Sequence, residues 1–91
     1  DINPQAPVHV LVIPKGAYES MDDFHANASD AEIAALIRAV GEVARMTGVA
    51  ETGYRILSNT GVDAHQEVPH LHIHVVGKRD LGGMIGRPRP S

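Results

Sequence analysis

His70-Leu71-His72-Ile73-His74-Val75-Val76 constrains the architecture of this chain more than any other segment does. Imidazole and aliphatic side chains alternate along it, and residues two apart in a β-strand point to the same face of a sheet. Such alternation in a run rich in β-branched residues predicts a half-buried strand, which we expect over residues 69–77. Leu71, Ile73 and Val75 should then enter a hydrophobic core, and the three histidines should form a row on the opposite face.

Two further segments have the composition of strands. Residues 8–13 are apolar, rich in β-branched side chains and closed by Pro14, which has no amide hydrogen to donate to a sheet. Within this segment we expect His9 to be a structural, hydrogen-bonded histidine. Residues 54–59, after the turn residue Gly53, form the third predicted strand.

One long helix is predicted between Ser29 and Gly48. Ser29 and Glu32 have the spacing of a capping box, and Gly48 is a typical helix stop. Apolar residues between them recur at helical spacing: Ile33, Leu36, Ile37, Val40, Val43 and Ala44. Residues 15–28 should form a connection whose short runs can form a turn of helix. Because no second long helix is available for crossovers, the strands should be mostly antiparallel, which gives an α+β fold with the helix on one face of the sheet.

Composition sets the class of protein. The 91 residues fit a single domain, and the 43% apolar and 21% charged residues are ordinary globular values. The chain contains no cysteine, which excludes disulfides, thiolate ligands and cysteine nucleophiles. No apolar stretch is long enough to cross a membrane, and the net charge of −3 does not indicate a nucleic-acid partner. We therefore expect a cytoplasmic protein.

The residue types around the histidine row narrow its chemistry. Imidazole titrates near neutral pH, so it can act as nucleophile, general acid, general base or metal ligand. The loop before the row contains Asn59 and Gln66, whose amides both donate and accept hydrogen bonds and so suit sugar hydroxyls and phosphate oxygens. A dedicated zinc site more often adds a carboxylate or a thiolate to its histidines.

The motif and its flanks resemble the histidine triad superfamily, and within it the histidine-triad nucleotide-binding branch. The superfamily signature is His-x-His-x-His followed by two apolar residues, here His70 to Val76. The likeness also covers residues 1–7, 9–15, 53–59 and 66–70. It implies a mostly antiparallel sheet with one main helix on one face, extended across a homodimer. In the family a β-hairpin, and in many members a fourth histidine, precedes the position of Asp1, and we expect residues 1–91 to form the domain without them.

The resemblance also implies roles for individual residues. His72 would attack the α-phosphorus of a nucleotide ester or amide, and water would then hydrolyse the covalent nucleotidyl-histidine. The backbone carbonyl of His70 would hold the His72 ring in the correct tautomer. The side chains of His70 and His74 would contact phosphate oxygens or the leaving group. Asn59 and Gln66 would lie at the ribose–phosphate region, with Gln66 near the bridging atom.

Two positions depart from the best-known phosphoramidases of the family. Glu67 stands where those members have a serine that contacts phosphate, and His65 stands where they have glycine. By their positions, Glu67 and His65 are expected among the residues that bind nucleotide and phosphate. A carboxylate beside phosphate is repulsive unless it is protonated, paired or turned away, so pairing of Glu67 with a histidine is the alternative. His74 points to the hydrolases of the superfamily, because its transferases carry glutamine at that place.

The favoured interpretation is a cofactor-free hydrolase of nucleoside phosphoramidates or related purine nucleotide conjugates of the AMP or GMP type. Three alternatives stay open: a dinucleoside polyphosphate hydrolase, a protein that binds zinc through His70, His72 and His74, and a nucleotide-binding module without catalysis. A strand that buries three structural histidines is disfavoured, because both nitrogens of every ring would need partners.

Overall fold

The computed structural model describes residues 7–83, and these form the predicted α+β fold around an antiparallel sheet. The strands are β1 (Val8–Val12), β2 (Tyr54–Leu57) and β3 (Ile73–Gly77). Their order in the sheet is β1-β3-β2, so the strand that carries His74 is central and pairs with a neighbour on each side. Three helices accompany them: α1 (Met21–Asn27), α2 (Asp30–Met46) and α3 (Val49–Thr52).

The strands are shorter than the sequence predicted, and for β3 the difference matters. The expected strand over 69–77 begins only at Ile73, which pairs with the last residue of β1, Val12. Pro14 lies two residues after the end of β1 and has no amide hydrogen to donate to a strand ladder. On the other side, β2 ends at Leu57, opposite His74. No neighbouring strand between residues 7 and 83 therefore reaches residues 69–72, and His70 and His72 lie just before the sheet.

The predicted long helix is confirmed as α2, whereas α1 is longer than the turn of helix that was predicted before it. Ser29 accepts a hydrogen bond from the Glu32 amide, and the Glu32 carboxylate accepts one in return from the Ser29 amide, which completes the capping box. The connection before α2 was expected to form a turn of helix, and the helix found there, α1, is longer and has seven residues. Its start is stabilised by Ser20, whose hydroxyl accepts a hydrogen bond from the Asp23 amide.

The core lies between α2 and the sheet face opposite the histidines. Leu71, Ile73 and Val75 are buried as predicted, and they pack in one cluster with the α2 residues Leu36, Val40 and Ala44. Ile37 was expected in the same stripe but is 55% exposed, because it lies one residue, about 100° around the helix, from Leu36. Between residues 7 and 83 no helix combines the length and apolar character needed to cross a membrane.

Gly77, the last residue of β3, is required by close packing against α3. A Cβ atom at this position would lie 2.7 Å from Cγ1 of Val49, a fully buried residue, and 3.2 Å from the Gly53 carbonyl oxygen. Any side chain here would push α3 off the sheet. This packing fixes the end of the central strand, which directly follows the histidine motif.

Candidate active site

The His72 ring is held by the main chain of its own motif. Its Nδ1–H donates a hydrogen bond to the His70 carbonyl oxygen at 2.8 Å. This bond selects one tautomer of the neutral ring, in which Nε2 has no hydrogen and carries an available lone pair. The side chain is half-buried. A neutral imidazole in this state is a competent nucleophile.

Ser58 supports the His72 backbone where the sheet no longer does. Because β2 ends at Leu57, the His72 carbonyl has no partner in the strand ladder of residues 7–83. The Ser58 hydroxyl donates to that carbonyl at 2.9 Å. This side-chain hydrogen bond links the end of β2 to the backbone before β3. This role of Ser58 was not predicted, because a serine just after a predicted strand gives no signal of it.

His74 forms a pair with a histidine from β1. His9 Nε2 and His74 Nδ1 lie 2.8 Å apart, so one ring donates and the other accepts. The ring centroids of His9 and His74 are 5.1 Å apart, as are those of His74 and His72. The rings of His9, His74 and His72 therefore lie next to one another in that order. His70 directs its Nδ1–H to the Leu71 carbonyl at 3.1 Å.

The sequence pattern did not reveal the full role of His9. It predicted a hydrogen-bonded structural histidine, and the hydrogen bond is present, but the partner is His74 and the bond places His9 in the candidate site. His9 pairs across the sheet with Val76, on the face opposite Val12 and the core. The sequence did contain a signal of this, because His9 alternates along β1 with valines that face the core.

The surroundings of His74 favour its neutral form. Burial lowers the pKa of His74 below its usual value of 6.5, and positive charge on His72 or His9 would lower it further. Its Nε2 atom is buried and has no hydrogen-bond partner among residues 7–83. Buried polar atoms in that condition are uncommon in folded proteins and call for an explanation such as a catalytic role. Near neutral pH His74 is thus a neutral ring able to give or take a proton.

Two cavities open on the histidine face, one at each end of the row. The first has a volume of about 390 Å³ and is lined by His9, His74, Arg55 and Asn59, among others. The second, about 460 Å³, is lined by His70 and His72 together with Leu11, Ile13 and Val68. The cavity at the His74 end therefore mixes aliphatic side chains with Arg55 and Asn59, whereas the cavity at the His72 end is largely apolar.

Arg55 is a second residue that the sequence analysis did not single out. It lies on β2 opposite Val76, on the same face as the histidines, and is half-buried. Its Nη2–H donates to the Gly82 carbonyl at 2.7 Å, which ties the chain after β3 to the wall of the first cavity. The sequence signal was the alternation of side chains along the predicted strand over 54–59, which places Arg55 on the face of the histidines.

The remaining predicted site residues are divided between two places. Asn59 lines the cavity that holds His9 and His74. Gln66 and Glu67 line a separate cavity of about 350 Å³ beside Ser20 and Thr60. The structure thus brings Asn59 to the histidine row but leaves these two outside both cavities of that row, and their contact with a nucleotide stays a prediction.

His65, the other departure from the family pattern, is exposed in the turn before Gln66. Its φ of 57° places it in the left-handed region, which glycine adopts most easily. The family's glycine at this place agrees with that conformation. A direct role for the His65 ring in binding phosphate also stays a prediction.

The zinc-binding alternative requires side chains that can hold one ion together. Between residues 7 and 83, no three His, Asp or Glu side chains are grouped so that they could hold a metal ion. The Nδ1 atoms of His70, His72 and His74 are engaged in hydrogen bonds, so Nε2 is the ring nitrogen that a metal would use. No carboxylate or thiolate of the kind that zinc sites commonly add lies among these contacts.

Comparison with known proteins agrees with the fold and the motif. The family model for the HIT domain matches residues 1–81. A 13.2 kDa HIT-like protein of Azospirillum brasilense is 74% identical over 85 residues, which are 93% of this chain and 70% of that protein. The purine nucleoside phosphoramidase of Escherichia coli is 40% identical over 85 residues, which are 93% of this chain and 71% of that protein.

A solved structure is similar over the same extent. A HIT family hydrolase from Clostridium thermocellum superposes with a TM-score of 0.81 at 45% identity, covering 93% of this chain and 73% of that chain. The antiparallel sheet with its helix on one face is therefore a known arrangement. Its similarity to a protein named a hydrolase directs attention to hydrolytic chemistry at the histidine row.

Proposed function

The chain belongs to the HIT domain family, and we propose that it hydrolyses nucleoside phosphoramidates or related purine nucleotide conjugates. Cleavage would take place at the α-phosphorus through a covalent nucleotidyl-histidine. The observation that carries this proposal is the hydrogen bond from His72 Nδ1–H to the His70 carbonyl, which leaves Nε2 as the nucleophilic atom. The phosphoramidase name of the relative that is 40% identical favours this substrate class.

The proposed reaction has two steps at His72. In the first, Nε2 forms a bond to the α-phosphorus, the phosphorus–nitrogen bond of the substrate breaks, and the departing amine takes up a proton. In the second, water attacks the same phosphorus and gives up a proton to the solvent, the phosphorus–Nε2 bond breaks, and the nucleoside monophosphate leaves the free imidazole. Covalent catalysis of this kind divides one difficult displacement into two easier ones.

The other members of the row would serve charge and proton movement. His74 lies beside the His72 ring, close enough to contact a phosphate oxygen or the leaving group, and its lowered pKa keeps it neutral until it accepts a proton. His9 would share that proton through the 2.8 Å contact. His70 flanks His72 on the other side, and Asn59 would contact the ribose–phosphate part of the substrate. Charge stabilisation is the main demand of phosphoryl transfer.

Release of AMP from an adenosine phosphoramidate tests the proposal. The wild-type protein should turn over, and the His72→Ala variant should lose roughly a thousandfold or more of its kcat. His25→Ala is the matched control, because His25 is exposed on α1 and contacts Asp22. Unimpaired turnover by His72→Ala would contradict the proposal. Turnover of diadenosine polyphosphates in preference to phosphoramidates would favour the alternative substrate class.

We also propose a homodimer in which the sheet continues across two copies. β2 is an edge strand of the described sheet, and Tyr54 and Ile56 on it are 43% and 45% exposed. Met46 at the end of α2 is 83% exposed, and Ile37 on the same helix is exposed as well. Apolar side chains on an open strand edge favour association. A molar mass from light scattering equal to one chain would contradict this proposal, and twice that mass would support it.

A further inference from the structure

The side-chain amide of Gln66 is bonded to the backbone in three places. Its Oε1 accepts a hydrogen bond from the Gly61 amide at 2.9 Å. Its Nε2 donates one hydrogen to the Val68 carbonyl at 3.1 Å and another to the Glu19 carbonyl. An amide nitrogen has two hydrogens to donate, so both are engaged within the described structure. The amide joins the two ends of its own loop to the segment before α1.

This loop leads directly into the histidine motif. The Val68 carbonyl that accepts from Gln66 also accepts from the His70 amide at 2.8 Å, which closes a tight local turn of the main chain. One residue later, the Leu71 amide donates to the Tyr18 carbonyl at 2.7 Å. Two adjacent links, one from Gln66 to residue 19 and one from Leu71 to residue 18, therefore fix the chain on both sides of Val68 and His70.

The His70 carbonyl is the group whose direction matters. It accepts the Nδ1–H of His72 and so decides which nitrogen of that ring is free to react. From these contacts we infer that Gln66 is a positioning residue, which fixes the course of residues 61–71 and thereby aims the His70 carbonyl at His72. The inference concerns the protein without substrate, and only its kinetic test rests on the proposed function.

The inference differs from a direct contact between Gln66 and the bridging atom of a nucleotide. Such a contact requires an amide hydrogen that is free, or one released from the Val68 or Glu19 carbonyl when substrate binds. Gln66 also lines the cavity beside Ser20 and Thr60 and neither of the two cavities of the histidine row. A positioning role needs no movement of the side chain from the place that it occupies.

Hydrogen exchange in the substrate-free protein tests this role. Gln66→Met removes all three bonds while keeping a side chain of similar length. Exchange of the Gly61, His70 and Leu71 amides should accelerate roughly tenfold, the effect of losing about one to two net hydrogen bonds locally. Amides inside α2 should keep their protection, which shows that the domain stays folded. Asp63→Asn, in the same loop and exposed, is the matched control and should leave all these rates unchanged.

A second variant separates the two halves of the amide. Gln66→Glu keeps an oxygen to accept from the Gly61 amide but loses the donors to Glu19 and Val68. It should accelerate exchange at His70 and Leu71 and affect Gly61 less. Unchanged exchange at His70 and Leu71 in both variants would overturn the inference, as would loss of protection in α2 to the same degree as in the loop.

The kinetic test compares two phosphoramidates whose leaving amines differ in basicity. If Gln66 acts through His72, both substrates should lose the same factor in kcat in Gln66→Met, and the nitrogen NMR signals of His72 should show a mixture of tautomers. A loss that depends on the leaving amine, with exchange rates and tautomer unchanged, would show that Gln66 contacts the substrate and would overturn the inference. The exchange measurement stands even if neither substrate is turned over, so the two proposals fail separately.

Discussion

His72 and His74 are two residues apart in one motif, yet they lie in different surroundings. His72 precedes the strand ladder, and its ring is held by a main-chain carbonyl. His74 lies inside the ladder, paired with Leu11 on one side and Leu57 on the other, and its ring contacts the side chain of His9. A carbonyl can only accept a hydrogen bond, so His72 has a fixed tautomer. Two imidazoles can exchange donor and acceptor, so the His9–His74 pair has two.

In the proposed mechanism, this contrast assigns two kinds of chemistry to one alternating motif. The fixed tautomer of His72 keeps a lone pair on Nε2, which suits a nucleophile. The half-buried pair of His74 and His9 suits the movement of a proton, because burial lowers the pKa of His74 and so keeps the ring neutral and able to accept one. This difference predicts that substitutions near His72 and substitutions in the His9–His74 pair have effects of different kind and size.

After the loss expected for the nucleophile His72, the next largest loss is expected for His74→Asn. Asparagine places a polar atom near the position of Nδ1 but cannot take up a proton at working pH. We expect kcat for an adenosine phosphoramidate to fall about a hundredfold, a typical contribution of general acid–base catalysis. The tautomer of His72, read from its nitrogen NMR signals, should be unchanged. A kcat close to that of the wild type would show that the pair has no part in proton movement.

A smaller loss is expected for His9→Gln. Glutamine can still hydrogen-bond to His74 but cannot carry positive charge. We expect kcat to fall about tenfold, since His9 acts through His74. The pKa of His74 should rise, because one of the neighbouring charges that oppose its protonation is removed, although burial still lowers it. An NMR titration of the His74 ring measures this shift, and a fall in its pKa would contradict the assignment.

Ser58→Ala tests the support at the other end of the row. Loss of the hydroxyl leaves the His72 carbonyl without its 2.9 Å hydrogen bond. A single hydrogen bond of this kind contributes about 0.5–1.5 kcal/mol, so we expect a decrease in kcat of roughly threefold to tenfold. Thr60→Ala, which removes an exposed hydroxyl nearby, is the control. An equal decrease in both variants would show that the effect is not specific to His72.

The last and weakest effect concerns stability and pH. The folded protein holds the pKa of His74 below 6.5, whereas the unfolded chain binds that proton near the usual value. As the pH falls from 6.5 through the folded pKa, the unfolded state binds more protons, and the free energy of unfolding should decrease. Above that window His74 makes no contribution that depends on pH. Urea unfolding of wild type and His74→Asn over this range should show a shallower decrease in the variant, and equal slopes would contradict the assignment.

The fold could be predicted well because its signals are local. Alternation around His72 indicated the central strand and its buried face, and the Ser29–Glu32 capping box indicated the start of α2. The start of β3 was predicted wrongly, because it depends on where the partner strands end. Pro14 in one partner and the register of Leu57 in the other decide that limit, and neither is a property of residues 69–77 themselves.

The site was predicted less completely, for the same physical reason. His70, His72 and His74 share one motif, so their proximity follows from sequence alone. His9, Ser58 and Arg55 reach the site through strand pairing and through the ends of strands, which join residues distant along the chain. Gln66 carried the right residue type for a hydrogen-bonding role, but one of its backbone partners belongs to a segment 47 residues away.

The proposed covalent intermediate can be trapped and its site of attachment identified. The protein is mixed with an adenosine phosphoramidate, quenched in alkali during turnover, digested and analysed by mass spectrometry. We predict a single nucleotidyl adduct on His72 and none in His72→Ala. An adduct on His70 or His74 in the wild-type protein would contradict the assignment of His72 as the nucleophile.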